Sequence, residues 1–293
     1  MPPKKPLHPY RTIHDGVLLS DIAVDTTGTY ITGFPYDEGP RLWVCEPDTD
    51  AARALVEEDG PPLSHVRAGE GGVFVVAEQV ILRVDRASGA RTPIAETPVA
   101  MTTSLALDGA WVYGTVIGAN GGVYRVPTSG GTLDWIFRGP ASSVVAHDGR
   151  VAWATEGALM LRAAEGEALR RVDAPNPKCP CFFGSDLLWA EWGEAGRLAA
   201  LDLTTGEQRT VTPATYPGEL TTTGRHIYWT QALTKPSQIW IWRMDPADPG
   251  SVQGLVKGRS KGGRLAAGAG ALVWIDDCAG GAHRMELSAL GPE

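Results

Sequence analysis

One word recurs along this chain, and its recurrence limits the possible folds more than any other feature. At "GRVAWATEG" (149–157) a glycine turn opens onto alternating apolar residues that end on Trp153, followed by an acid, Glu156. The same step from turn to aromatic occurs at Gly109 and Tyr113 ("DGAWVYGT"), Gly224 and Tyr228 ("GRHIYWTQ") and Gly270 and Trp274 ("GALVWIDD"). "SDLLWAEW" repeats it with Ser185 in the turn and Trp189 as the aromatic, and "GGVFVVAE" and "GTYITGFP" are weaker copies upstream. Seven copies, about 36 to 46 residues apart, match the period of arrays in which each unit forms one small sheet.

Every copy has the same neighbours. A short run of small or apolar residues precedes the turn, as in "SVVAHD", "SLALD", "LAAGA" and "ELTTT". A polar loop follows the aromatic, then a further alternating run such as "GGVYRVP", "ALMLRA", "GRLAALD", "QIWIWRM" or "VILRVD". A turn and a fourth run, "LDWIF" or "EQRTVT", complete the unit. Period-two alternation marks half-buried strands. The 36 Gly and 22 Pro are dispersed and so mark turns, not a low-complexity tail. The pattern predicts an all-β chain, a single β-propeller of seven blades with four antiparallel strands each, six blades being the alternative count. Helical periodicity is best at "DTDAARALVEE" (48–58), which reads equally well as a turn and an outer strand.

The ends fit a closed ring. The last unit supplies three strands, through "AHRMELSAL", while "YRTIHDG" stands before the first inner strand. Residues near 10–20 are expected to complete the last blade and cover two sheet edges. Residues 1–9 then read as an N-terminal arm and 10–293 as the propeller. Inner strands converge on a channel, so Ala106, Ala146, Thr221 and Ala267 are placed at one crowded position, with the bulky Phe182 as the exception. Tyr113, Trp153, Trp189, Tyr228 and Trp274 are expected to fill the space between blades.

"YWTQ" at Tyr228–Gln231 resembles one copy of the YWTD repeat of β-propellers. "GGVYRVPTSGG" resembles the strand and turn after that motif in bacterial propellers of the YWTD and NHL-like kind. The resemblance implies a fold, not an activity. Its Asp position holds Gln231, Glu156, Asp277 and Glu78, but Val116 and Trp192 in other units. Usage rich in Ala, Gly, Arg and Glu, with Asn120 and Asn176 as the asparagines, suggests a GC-rich bacterial source.

A net charge of -8 argues against a nucleic-acid partner, which requires a basic patch. No apolar run of signal or membrane length follows "MPPKKPLHPY", so no membrane partner and a cytoplasmic location are expected. Cys45, Cys179, Cys181 and Cys278 read as reduced thiols, since the "CPC" pair is too close to bridge without strain. Nucleophile elbows, phosphate loops and dinucleotide fingerprints are missing.

In a propeller the loops between second and third strands share one face with the connections between blades. On that face fall Glu78, Glu156, Glu191, Trp192, Glu194, Gln231, Asp276 and Asp277 from the loops, and His65, Cys179, Cys181, Glu219, Lys261 and Arg264 from the connections. The acids either bond backbone of neighbouring blades or form a rim for a cation, a basic peptide or a metal. The leading expectation is a non-catalytic binding module for a peptide, small molecule or protein, with no cofactor required. The alternative is a metal-assisted lyase or hydrolase at the channel mouth. It would use His226 and His283 with Glu219 or Asp276, and a divalent metal. Cys179, Cys181 and Cys278 with Asp276 are the candidate thiolate and carboxylate ligands. Calcium-dependent propeller lactonases rely on asparagine ligands, which disfavours that chemistry in a chain with two.

Overall fold

The computed structural model describes residues 8–15, 19–33, 41–49, 51–57, 61–97, 102–118, 120–163, 166–232, 239–257, 263–276 and 281–290. Lys261, Asp277 and Cys278 lie outside them. The described strands form seven four-stranded antiparallel sheets. In blades 1 to 6 the strands run from inner to outer in chain order. Their inner strands are Leu19–Asp25, Leu63–Gly69, Thr102–Asp108, Ser143–His147, Pro177–Phe183 and Pro217–Thr223. Blade 7 begins with Leu265–Gly268, continues through Ala271–Asp276 and Gly281–Glu286, and takes Arg11–Asp15 as its outer strand. Each inner strand touches the next and the seventh touches the first, so the ring is closed with seven blades, not six. The segment with the best helical pattern contributes Arg53–Glu57, the outer strand of blade 1. Among the described residues no helix is long and apolar enough to cross a membrane.

The inner hairpins of blades 3 to 7 use two turns. Asp148 and Gly149 (φ 51° and 74°) and Ala269 and Gly270 (φ 49° and 72°) are both left-handed, the pattern of a type I′ turn. Gly109, Gly184 and Gly224 (φ 53°, 57° and 53°) come first in their turns and the next residue is not left-handed, the type II′ pattern. Glycine therefore stands second in the turn of blades 4 and 7 but first in blades 3, 5 and 6. A one-residue offset sends a side chain to the opposite face of a strand. Tyr113 and Tyr228 are the third residues of their strands, whereas Trp153, Trp189 and Trp274 are the fourth. Both faces of a blade pack on neighbours, so the two sets meet head-on. Tyr113 shares a buried cluster with Trp153, and Tyr228 shares one with Trp274.

The same offset corrects the inner-strand alignment. Ala146, Phe182 and Ala267 occupy one position, opposite Val151, Leu187 and Leu272. Ala106 and Thr221, opposite Tyr113 and Tyr228, lie one residue farther from the turn and face the other neighbour. Phe182 packs in the core between blades 4 and 5, with the Arg150 guanidinium 5.0 Å above its ring.

Closure is carried by pairing of Arg11 with Arg284 through Asp15 with Gly281. Ile13, 1% exposed, joins Ile22 and Ile31 of blade 1 and Val273, Ile275 and Ala282 of blade 7 in one cluster. The strand thus covers an edge and also fills the seam between the first and last blades. Ile13→Ala is expected to lower unfolding stability by about 3 kcal/mol, the usual cost of such a core truncation. A urea melt would show a lower midpoint with the slope unchanged.

Candidate functional site

The seven inner strands surround a channel of about 720 Å³. Counting back from the hairpin, the fifth residues of the seven inner segments are Asp21, His65, Ser104, Ser143, Cys179, Glu219 and Arg264. Each is polar or carries a thiol, and each is followed by an apolar or proline residue: Ile22, Val66, Leu105, Val144, Pro180, Leu220 or Leu265. They form a collar at the loop-rich end of the channel. In five blades the ladder shifts register here, between Leu19 and Asp21, Ser64 and Arg67, Thr102 and Ser104, Lys178 and Cys181, and Pro217 and Leu220. Such bulges re-aim side chains. At His65 (φ 52°) and Cys179 (φ 44°) the backbone is left-handed, which is uncommon for these residue types.

Charge runs along part of the collar. Arg67 donates to Asp21 Oδ2 at 3.0 Å, although the two sit on different blades. Arg264 Nε lies 3.8 Å from Asp21 Oδ1, and its Nη1 donates to Glu219 Oε1 at 2.9 Å. Blades 6, 7, 1 and 2 are thereby joined at their inner ends. The Asp21 side chain is 5% exposed, so its negative charge rests on these cations. Burial opposes the charge on Arg264, but Glu219 and Asp21 outweigh it and raise its pKa. His65 Nδ1 lies 4.0 Å from Asp21 Oδ2. Burial pushes the imidazole pKa down to about 4, Asp21 opposes this, and Arg67 and Arg264 add to it. His65 is therefore neutral at pH 7. Burial, helped by the Glu219 carboxylate, raises the Cys179 thiol well above its ordinary range, and burial alone pushes Cys181 up to about 12. Both thiols stay protonated and pack against the core between blades 5 and 6.

Beside the collar, between the starts of blades 5 and 6, lies a cleft of about 510 Å³. Asn176, Lys178, Trp192, Tyr216 and Glu219 are among its walls. Trp192 is 49% exposed, and its ring centroid is 4.9 Å from that of Tyr216. Backbone hydrogen bonds hold this pair. Trp192 N–H donates to Asn176 O at 3.2 Å, and Asn176 Nδ2 returns a bond to Trp192 O at 3.0 Å. Tyr216 N–H donates to Gly193 O at 2.8 Å, and its carbonyl accepts from Ala232 N–H at 3.2 Å. The aromatic shelf is thus set on fixed backbone.

The other residues expected from sequence are dispersed. Glu191 is buried inside blade 5, where Arg197 donates to both its oxygens (2.6 and 3.0 Å) and Trp189 Nε1 to one (3.2 Å). Glu78 and Glu156 are exposed in turns of blades 2 and 4. Gln231 pairs with Pro217 and Trp240 in blade 6, and Asp276 with Gly281 in blade 7. His226 faces Thr223 at the hairpin end of blade 6, whereas Glu219 stands at the opposite end of that inner strand. His283 is on the third strand of blade 7, with Nδ1 3.1 Å from the Thr12 hydroxyl. These histidines and Glu219 do not converge. Among the described residues no group of three or more His, Cys, Asp and Glu gathers as a metal site. Sequence reasoning missed Asp21, Arg67, Lys178 and Tyr216. Counting five back from each hairpin, with the glycine offset included, would have found Asp21.

No family model matches the chain, and no curated protein matches it in sequence. Solved structures match its shape. A chain of the mitotic checkpoint complex has a TM-score of 0.71 at 12% identity, over 97% of this chain and 95% of that one. An oligogalacturonate lyase in complex with manganese also gives 0.71, at 13% identity over 96% and 91%. The WD40 repeats of RRP9 give 0.70, at 9% identity over 94% and 97%. Identities this low carry the fold alone. The class is a seven-bladed β-propeller, and the YWTD-like word is the largely buried second strand of its sixth blade.

The neutral His65 makes stability depend on pH. Below about 6.5 the unfolded chain takes up a proton that the folded protein refuses until pH about 4. Stability falls as pH drops through that window, by about 3 kcal/mol at its end. His65→Asn, which tolerates the left-handed backbone, is expected to flatten the fall in Tm between pH 7 and 4. An unchanged pH profile in this variant would locate the acid sensitivity elsewhere.

Proposed function

We propose that this propeller is a binding module that takes a peptide segment of a partner protein on its loop-rich face. One observation carries this reading: a nearly half-exposed indole, Trp192, held against Tyr216 in the wall of a cleft. Monomeric surfaces seldom leave a large aromatic so exposed in a concave site, and Trp and Tyr are the residues that binding sites favour. The cleft adjoins the channel mouth, and Cys179, Glu219 and Lys178 line both spaces. The fold likeness to a chain of a multiprotein complex supports a protein partner.

The likeness to a manganese-bound lyase raises a metal-assisted reaction as the other reading. The dispersal of His226, His283 and Glu219 favours binding over that chemistry.

The test is selection of a random peptide library on the purified protein, followed by affinity measurements. Trp192→Ala should weaken the selected peptides at least about tenfold, the cost of losing an aromatic anchor. Its melting temperature should stay within about 1–2 °C of the parent, because the side chain is at the surface. No enrichment over an unfolded control would sink the proposal.

A further inference from the structure

Lys178 stands where three spaces meet: the channel, the cleft between blades 5 and 6, and a second cleft of about 490 Å³ between blades 4 and 5. Among the described residues its ammonium has no hydrogen-bond or ion-pair partner. The carboxylates of the collar are engaged elsewhere. Glu219, the carboxylate that shares the aromatic cleft, is held by Arg264 at 2.9 Å. Asp21 is taken by Arg67 and Arg264. Glu156, exposed on the wall of the second cleft, forms no ion pair with Lys178. In a chain with a net charge of -8, an uncompensated cation that lines three concave spaces is a local reversal of sign. An incoming counter-ion in a concave, partly screened site gains more than one at an open surface. Ser143, the neighbouring collar residue on blade 4, has an Oγ that is buried without a partner among the described residues.

We infer that the cleft recognises an acidic motif, a carboxylate seated on Lys178 beside an aromatic or large apolar side chain seated on the Trp192–Tyr216 shelf. The occupant is a linear segment of a partner protein that carries Glu or Asp next to such a residue. This rests on the peptide-binding reading above and adds the sign of the ligand. Charge complementarity selects it. A basic segment would find Glu219, the carboxylate of this cleft, engaged by Arg264, and an ammonium in its path. The cleft volume suits one or two side chains, not a folded domain.

The test uses the full chain and three capped tetrapeptides, Ac-Gly-Glu-Phe-Gly-NH2 and its Gln and Lys counterparts, each also made with the central pair reversed. Binding is read from the indole N–H resonance of Trp192, assigned by comparison with Trp192→Phe. The expected order of affinity is Glu above Gln above Lys, with the Glu peptide weakening as salt rises from 50 to 500 mM. Lys178→Met should remove the Glu-over-Gln preference, and Lys178→Glu should invert the order so that the Lys peptide binds best. Lys178 is partly exposed and has no side-chain partner among the described residues, so both variants should fold, as thermal melts would verify. A preference unchanged in Lys178→Glu, or a parent that favours the Lys peptide, overturns the acidic-motif inference. Equal binding of all three peptides overturns it too but leaves the aromatic shelf in place. No shift of the Trp192 resonance with any peptide would sink both the inference and the peptide-binding reading.

Discussion

Edge pairing between the two ends of the chain is the contact on which the rest of the molecule depends. A blade buries both of its faces, so every blade needs two neighbours. Blades 2 to 6 find theirs along the chain. Blades 1 and 7 find each other only if the ring closes. An open ring would expose Ile22, Ile31, Val273 and Ile275, all buried in the closed one. The strand Arg11–Asp15 prevents this by completing blade 7 from the other end of the chain. Closure also fixes the channel, because seven inner strands at one spacing define its width and the height of every side chain around it.

The collar at the channel mouth follows from this geometry. Only a closed ring sets Asp21 of the first blade beside Arg264 of the last. Buried ion pairs contribute little net stability, since the cost of stripping water offsets most of their attraction. Their consequence here is positional. Asp21 is shared by two arginines from different blades, and one of them, Arg264, is also held by Glu219, so the Arg264 guanidinium is fixed between two carboxylates. Among the described residues Lys178, which lines the same cleft as the aromatic shelf, has no ion-pair partner. The polar mouth thus adjoins a cleft whose walls include the Lys178 side chain and the exposed Trp192 indole.

The architecture was legible because a propeller writes the same strand-turn-strand seven times, and turn chemistry leaves glycine at a regular spacing. The register within each hairpin was not. "DGAW" and "DGRV" look alike, yet glycine is first in one turn and second in the other, so Tyr113 and Trp153 face opposite neighbours. That single residue misplaced Ala106 and Thr221. The grouping of His65, Cys179, Glu219 and Arg264 at one end of the inner segments was also readable. Which of them touch could not be read, because their partners come from other blades at separations of 40 residues or more: Arg67 to Asp21 and Arg264 to Glu219 are examples. Glu191 looked like a rim acid and is the buried partner of Arg197, a distinction set by strand pairing alone. Lys178 is hidden in "NPKCPC", where the cysteines and prolines draw the eye.

The seam between the first and last blades is fastened at two radii. At the rim, Arg11–Asp15 pairs with Gly281–Glu286; at the axis, Asp21 meets Arg264 while Ile22 packs with Val273. These fastenings differ in kind. The outer one is a ladder that can fray one rung at a time from its free end, as terminal strands do. The inner one is an ion pair beside packed side chains. Ile13 of the outer strand lies in the same buried cluster as Ile22 and Val273, so the two fastenings, latch and catch, are joined through one core. Whatever strains the circumference at this seam is therefore felt along its whole depth, from the outer ladder to the strand that carries Asp21.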